Sequence, residues 1–78
     1  MQLANKHIVI VGMGRTGLAV ARFLARSRAS VVITDTADEN ALESQLKVIK
    51  ELGIKSELGK HRSETFLDAE LIVISPGV

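Results

Sequence analysis

Ile8-Val9-Ile10-Val11-Gly12-Met13-Gly14-Arg15-Thr16-Gly17 is the stretch that decides how the rest of the chain is read. Four β-branched residues in a row suit a strand buried on both faces, as parallel sheets require. The run breaks into G-x-G-x-x-G and passes directly into a helical pattern. In that layout Gly12 allows a tight turn, Gly14 lets backbone approach a phosphate, and Gly17 lets the helix lie close against the strand. The free N–H groups and positive dipole end of the helix then face an anion. Eighteen residues after Gly17 a second apolar run, Val31-Val32-Ile33-Thr34, ends in Asp35. An acid at the tip of the second strand is placed to hydrogen-bond a ribose or a base. Strand, turn, helix, strand and acid in this order describe a nucleotide-binding α/β unit.

Working outward, His7 to Val11 forms the first strand and Arg15 to about Ser27 the first helix, with Gly17, Ala21 and Leu24 as its sheet-facing stripe. Strand two is Ser30 to Thr34. A second helix is expected from about Glu39 to Leu52, with Thr36-x-x-Glu39 and Asn40-x-x-Glu43 as candidate capping boxes and Gly53 at the left-handed position past its end. Ile54 to Leu58 alternates as a half-exposed edge strand does. Gly59 to Ala69 holds a short crossover with a helical turn or two at Ser63 to Leu67. Leu71 to Ile74 is wholly apolar and reads as a buried strand. Right-handed crossovers then give a parallel, Rossmann-like α/β sheet in the order 3-2-1-4, one domain over residues 1–78. The carboxyl ends of the strands carry Gly12 to Gly17, Asp35-Thr36 and Ser75-Pro76-Gly77, three segments converging on one crevice.

The 78 residues include no cysteine, which rules out a disulfide framework and a thiolate metal site and is compatible with a reducing cytosol. A net charge of +1 argues against a broad nucleic-acid or membrane surface, and no apolar run reaches the ~20 residues that span a bilayer. Arg15, Arg22, Arg26 and Arg28 read as a solvated face. Arg15 can equally neutralise a diphosphate, and Thr16 can donate to a phosphate or satisfy the helix start. Asp35 has an alternative as the N-cap of the second helix. His7 reads as structural. His61 lacks a partner carboxylate or second histidine nearby in sequence and is not read as a ligand, and Ser75 has no His/Asp arrangement to make it a nucleophile.

The segments GMGRTGLAVARFLA, VVITDT, GKH and AELIVISPGV together resemble the N-terminal domain of the bacterial Mur ligases. Ser75-Pro76-Gly77 and Thr34-Asp35 favour the branch of that family that adds D-glutamate in peptidoglycan synthesis. The resemblance implies a cytoplasmic, ATP-dependent ligase in which this domain holds the UDP part of a UDP-linked muramoyl substrate. Gly14, Arg15, Thr16 and Gly17 would cradle the diphosphate, Asp35 and Thr36 would read the uracil end, and Gly77 would line the pocket. ATP and magnesium would serve the ligase in further domains: no ATP P-loop stands in this sequence, so the fragment alone is expected to be inactive, with no catalytic residue, cofactor or metal of its own. Such a domain usually continues with another helix and a fifth strand, so the chain reads as truncated. Two positions depart from the family pattern. Ala37 stands where a basic residue often follows the TD pair, and Arg28 where a glycine commonly ends the first helix.

Two other classes fit the same residues. A nicotinamide-binding domain of an oxidoreductase would place Asp35 on an adenosine ribose, and a non-catalytic regulatory module would sense a nucleotide. The unpaired apolar fourth strand is also expected to drive self-association or leave a disordered C-terminus.

Overall fold

A computed structural model of the chain describes residues 3–75. Four parallel strands, β1 (His7–Val11), β2 (Ser30–Asp35), β3 (Lys55–Leu58) and β4 (Leu71–Ile74), form one sheet in the order β3-β2-β1-β4. Between them run α1 (Arg15–Arg26), α2 (Glu43–Glu51) and the short α3 (Ser63–Leu67). The strand order is the expected 3-2-1-4.

Register puts Ile8 beside Val31 and Ile10 beside Ile33. These four side chains meet Ala21 and Leu24 of α1 and Leu46 and Ile49 of α2, so both helices cover the same face of the sheet. Gly17, Ala21 and Leu24 are the buried residues of α1, as their spacing requires. Val9, one residue out of phase with Ile8 and Ile10, turns to the second face, where it is buried. There α3 lies beside β3, tied by the Thr65 hydroxyl to Glu57.

The helix ends explain two departures from the expected boundaries. α2 begins at Glu43, four residues later than its apolar spacing suggests, and neither Thr36 nor Asn40 caps it. Asp38 Oδ1 instead accepts from Ala41 N–H at 3.0 Å, and Leu42 N–H reaches Glu39 O at 3.2 Å. The aspartate side chain thereby stabilises a non-helical turn where helix was expected. At its far end the expectation for Gly53 holds. Its φ is 72°, its N–H bonds Lys50 O, and Ile54 N–H bonds Ile49 O, which together make a Schellman cap. α1 stops at Arg26, with Ser27 as its cap, and Arg28 takes the left-handed conformation with φ of 60°. A non-glycine residue there costs about 1 kcal/mol. The strained residue is pinned by Asn5 N–H, which donates to Arg28 O at 3.1 Å.

β4 differs from expectation in burial. Its four apolar residues pair with β1 alone, and Leu71, Ile72 and Ile74 are 38%, 44% and 75% exposed. An apolar run reports what a strand would bury, not whether a neighbour is there to bury it. The start of β4 is fastened to β1 by polar bonds. Glu70 N–H donates to His7 O at 2.7 Å, and the Glu70 carboxylate accepts from His7 N–H and pairs with Lys6 Nζ at 3.2 Å. The His7 amide first, then the Lys6 ammonium, hold the Glu70 carboxyl below the ordinary carboxylate range.

Candidate functional site

At the carboxyl end of β1 the chain turns sharply. Gly12 has φ of 105°, a value that side-chain-bearing residues rarely adopt, and its N–H donates to Thr34 O at 2.8 Å. Met13 follows fully buried and acts as the plug beneath the turn. Gly14 is the N-cap of α1, in extended conformation, and no side chain caps the helix start. The first-turn amides of α1 therefore keep their donors for something outside the helix. No acidic residue stands in that turn to repel an anion, and Arg15 and Thr16 are exposed there. Gly17 lies directly on the Gly12 turn: an added Cβ would stand 2.0 Å from Gly12 O. The glycine spacing thus performs the turn and close-packing roles its pattern suggested.

Asp35 is half-buried at the tip of β2, and its carboxylate points back into the glycine turn. Oδ2 accepts from Met13 N–H at 2.9 Å and Oδ1 from Ala37 N–H at 2.8 Å. It is not the N-cap of α2, which is Leu42. Each oxygen already holds one backbone amide and keeps one lone pair for a ligand. Thr36 is exposed beside it. Ser75, at the end of β4, is buried against Gly12 and Gly17, and its N–H donates to Val11 O at 2.9 Å. The structure thus brings Gly14, Arg15, Thr16, Gly17, Asp35 and Thr36 to one end of the sheet. Gly77 lies outside the described residues.

Sequence reasoning passed over one group at this end. The loop after β3 is docked on the β2 tip, with Gly59 N–H shared between Asp35 O and Ala37 O, both at 3.1 Å. His61 Nδ1 is hydrogen-bonded to the hydroxyl of the fully buried Thr34, and its ring meets Phe66 edge-on with centroids 5.8 Å apart. The only hint in sequence was a polar Thr34 at the end of an otherwise apolar strand. A separate cleft of about 300 Å³ lies between α3 and the second sheet face, lined in part by His7, Ser30, Lys55 and Glu57. It opens at the starts of the strands, the end where α/β sheets do not place ligands.

The model of the Mur ligase MurD-like N-terminal domain matches residues 6–78. The chain belongs to the MurD-like N-terminal domain family. It is 51% identical over 78 residues to the UDP-N-acetylmuramoylalanine–D-glutamate ligase of Geotalea uraniireducens (strain Rf4), covering 100% of this chain and 17% of that protein. The ligase of the same name from Geobacter sp. (strain M21) matches at 51% with the same coverage. That of Geotalea daltonii matches at 47%, again over 100% of this chain and 17% of the relative. The chain therefore spans about a sixth of the length of the curated relatives it matches. Among solved structures it superposes on a chain of the covalent putidaredoxin reductase–putidaredoxin complex with a TM-score of 0.73 and 18% identity, over 95% of this chain and 24% of that one. A pyridine nucleotide-disulfide family oxidoreductase from Enterococcus faecalis V583 superposes at 0.52 with 11% identity, over 72% and 17%. At these identities the likeness concerns the fold, and MurD-like membership rests on the sequence matches.

Proposed function

We propose that this MurD-like domain binds the UDP part of a UDP-linked muramoyl substrate at the carboxyl ends of β1, β2 and β4. It would serve as the substrate-holding domain of a cytoplasmic ligase that adds D-glutamate in peptidoglycan synthesis. The observation that carries the reading is an uncapped helix N-terminus behind a glycine turn, in a chain whose family match covers residues 6–78. The diphosphate lies on the amides of Gly14 to Gly17, where Arg15 and Thr16 add charge and a hydroxyl. Asp35 and Thr36 face the base. The family match favours a uridine over an adenosine ribose, since the lone pair left on each Asp35 oxygen can accept from either.

ATP and magnesium do not fit this chain's own residues. The sequence has no G-x-x-x-x-G-K-[ST] loop, and among the described residues no group of three or more His, Asp or Glu is placed to hold a metal ion. Phosphoryl transfer and amide-bond formation belong to the further domains of a full-length ligase, which are partners of this one.

Titration of the chain with UDP, NAD and ATP separately, followed by amide resonances, tests the reading. UDP is expected to shift Gly14 to Gly17 together with Asp35 and Thr36, whereas NAD and ATP, whose phosphates can reach Gly14 to Gly17, leave Asp35 and Thr36 nearly unmoved. A tight NAD complex weakened by Asp35→Ala would establish the oxidoreductase alternative instead.

The open edge of β4 adds a proposal about partners. Leu71 to Ile74 carry none of the charged or proline residues that blunt an exposed edge, whereas the β3 edge carries Lys55 and Glu57. We expect the 78-residue chain to self-associate through β4. A sedimentation coefficient that stays monomeric across a hundredfold rise to about millimolar concentration would refute this.

A further inference from the structure

His61 has no part in the reading above, yet among the described residues its side chain fastens the neighbouring loop to the base-reading tip of β2. We infer that His61 is a positioning residue for the nucleotide base, acting through Thr34, and the inference rests on the UDP-binding reading of the crevice. The tip comprises Thr34, Asp35, Thr36 and Ala37, and the loop from Gly59 to His61 grips it from both sides. On the main-chain side Gly59 N–H is shared by the carbonyls of Asp35 and Ala37. On the side-chain side the imidazole of His61 bonds the Thr34 hydroxyl, which is wholly shielded from water. Phe66 of α3 holds the ring edge-on, so the imidazole is set before any ligand arrives.

His61 is itself exposed and the bond part-buried, so water meets part of the hydroxyl's need when the ring is lost, and what goes is the anchor of the loop rather than a large energy. A hydroxyl can donate or accept, so the bond persists whichever protonation state the ring adopts. Its reach is local. Thr34 also bonds Gly12 through its carbonyl, but that is a main-chain bond of the sheet and does not depend on the imidazole. Without His61 the Gly59 loop loses its side-chain anchor and the tip that presents Asp35 and Thr36 loosens. The amides of α1 that receive the diphosphate stay as they were.

That difference supplies the test. In the full 78-residue chain, His61→Ala is expected to weaken UDP binding about fivefold while changing affinity for inorganic diphosphate by less than about twofold. Thr34→Val should give the same loss, the double variant no further loss, and His61→Asn, whose amide reaches the place of Nδ1, should recover most of it. Amide exchange without any ligand reads the same contact: protection at Gly59 and Ala37 falls in His61→Ala, while that at Gly12 holds. Equal losses for UDP and diphosphate, or additive effects of the two variants, would overturn the role for His61 and leave UDP binding standing. A wild-type chain that ignores UDP overturns the function reading instead. The exchange pattern then decides the clamp alone, and unchanged protection at Gly59 and Ala37 would refute it.

Discussion

Replacing Gly17 with alanine is expected to lower the melting temperature of this chain by about 12–24 °C. The new Cβ would stand 2.0 Å from the carbonyl oxygen of Gly12, a backbone atom in a turn that its own φ of 105° already fixes. Neither partner can swing away as a flexible side chain would. α1 would have to lift from the sheet, and Ala21 and Leu24, buried one and two turns further on, would lift with it. Overpacking of this kind costs about 3 kcal/mol at the upper end of its range. A chain of 78 residues has on the order of 4–12 kcal/mol of total stability, and in so small a domain each kcal/mol is worth ~4–8 °C. Gly14→Ala is the counterpart. Gly14 sits at φ −75° and ψ −172°, open to any residue, so its melting point should move by no more than a few degrees. Its methyl group would stand where a phosphate approaches, and UDP binding should be lost. Thermal melts and UDP titrations of both variants check the division, and equal behaviour at the two sites would defeat it.

The glycine turn was legible because its signals are local and concordant. A β-branched run, glycines at fixed spacing and the stripe Gly17, Ala21, Leu24 all lie within one short stretch, and the structure places each as expected. Strand order followed from the Rossmann-like arrangement that the glycine turn and alternating elements announce, with handedness fixing only the face of each crossover. Where competing local bonds or distant neighbours decide, the sequence said less. The spacing of Leu42, Leu46 and Ile49 announced α2 but not its start, because the Asp38 side chain holds a turn that apolar periodicity does not register. The apolar run of β4 announced a strand but not its exposure. Asp35 was found by position, yet its direction depends on Met13, 22 residues away in the chain. The pairing of Thr34 with His61 spans 27 residues and has no local signature. At this end of the sheet the glycine turn could therefore be read from sequence, whereas the contacts that hold the tip of β2 in place could not.

Asp35→Ala is expected to be the second most damaging substitution, and to harm the whole crevice rather than one end of it. The carboxylate is the acceptor for the amide of the fully buried Met13 in a part-buried bond, so water makes up only part of what the lost oxygen supplied. An orphaned buried amide costs about 1–3 kcal/mol, and bonds to a charged acceptor lie toward the upper value. The bond to Ala37 N–H is part-buried likewise, and water can partly take its place. A fall of ~1–3 kcal/mol, or ~4–24 °C in a domain of this size, should result. Asp35→Asn keeps one carbonyl oxygen but turns an NH₂ toward the other amide, so it should recover less than half of the loss. For ligands the expected pattern differs from that of His61. Met13 links Gly12 to Gly14, so loosening its amide disturbs the helix start itself, and affinity for inorganic diphosphate should fall together with that for UDP. If Asp35 served only to read a base or a ribose, diphosphate binding and melting temperature would both be untouched by its removal. Measuring those two quantities on Asp35→Ala therefore decides whether this acid first builds the phosphate site and only then presents its remaining lone pairs to the nucleotide.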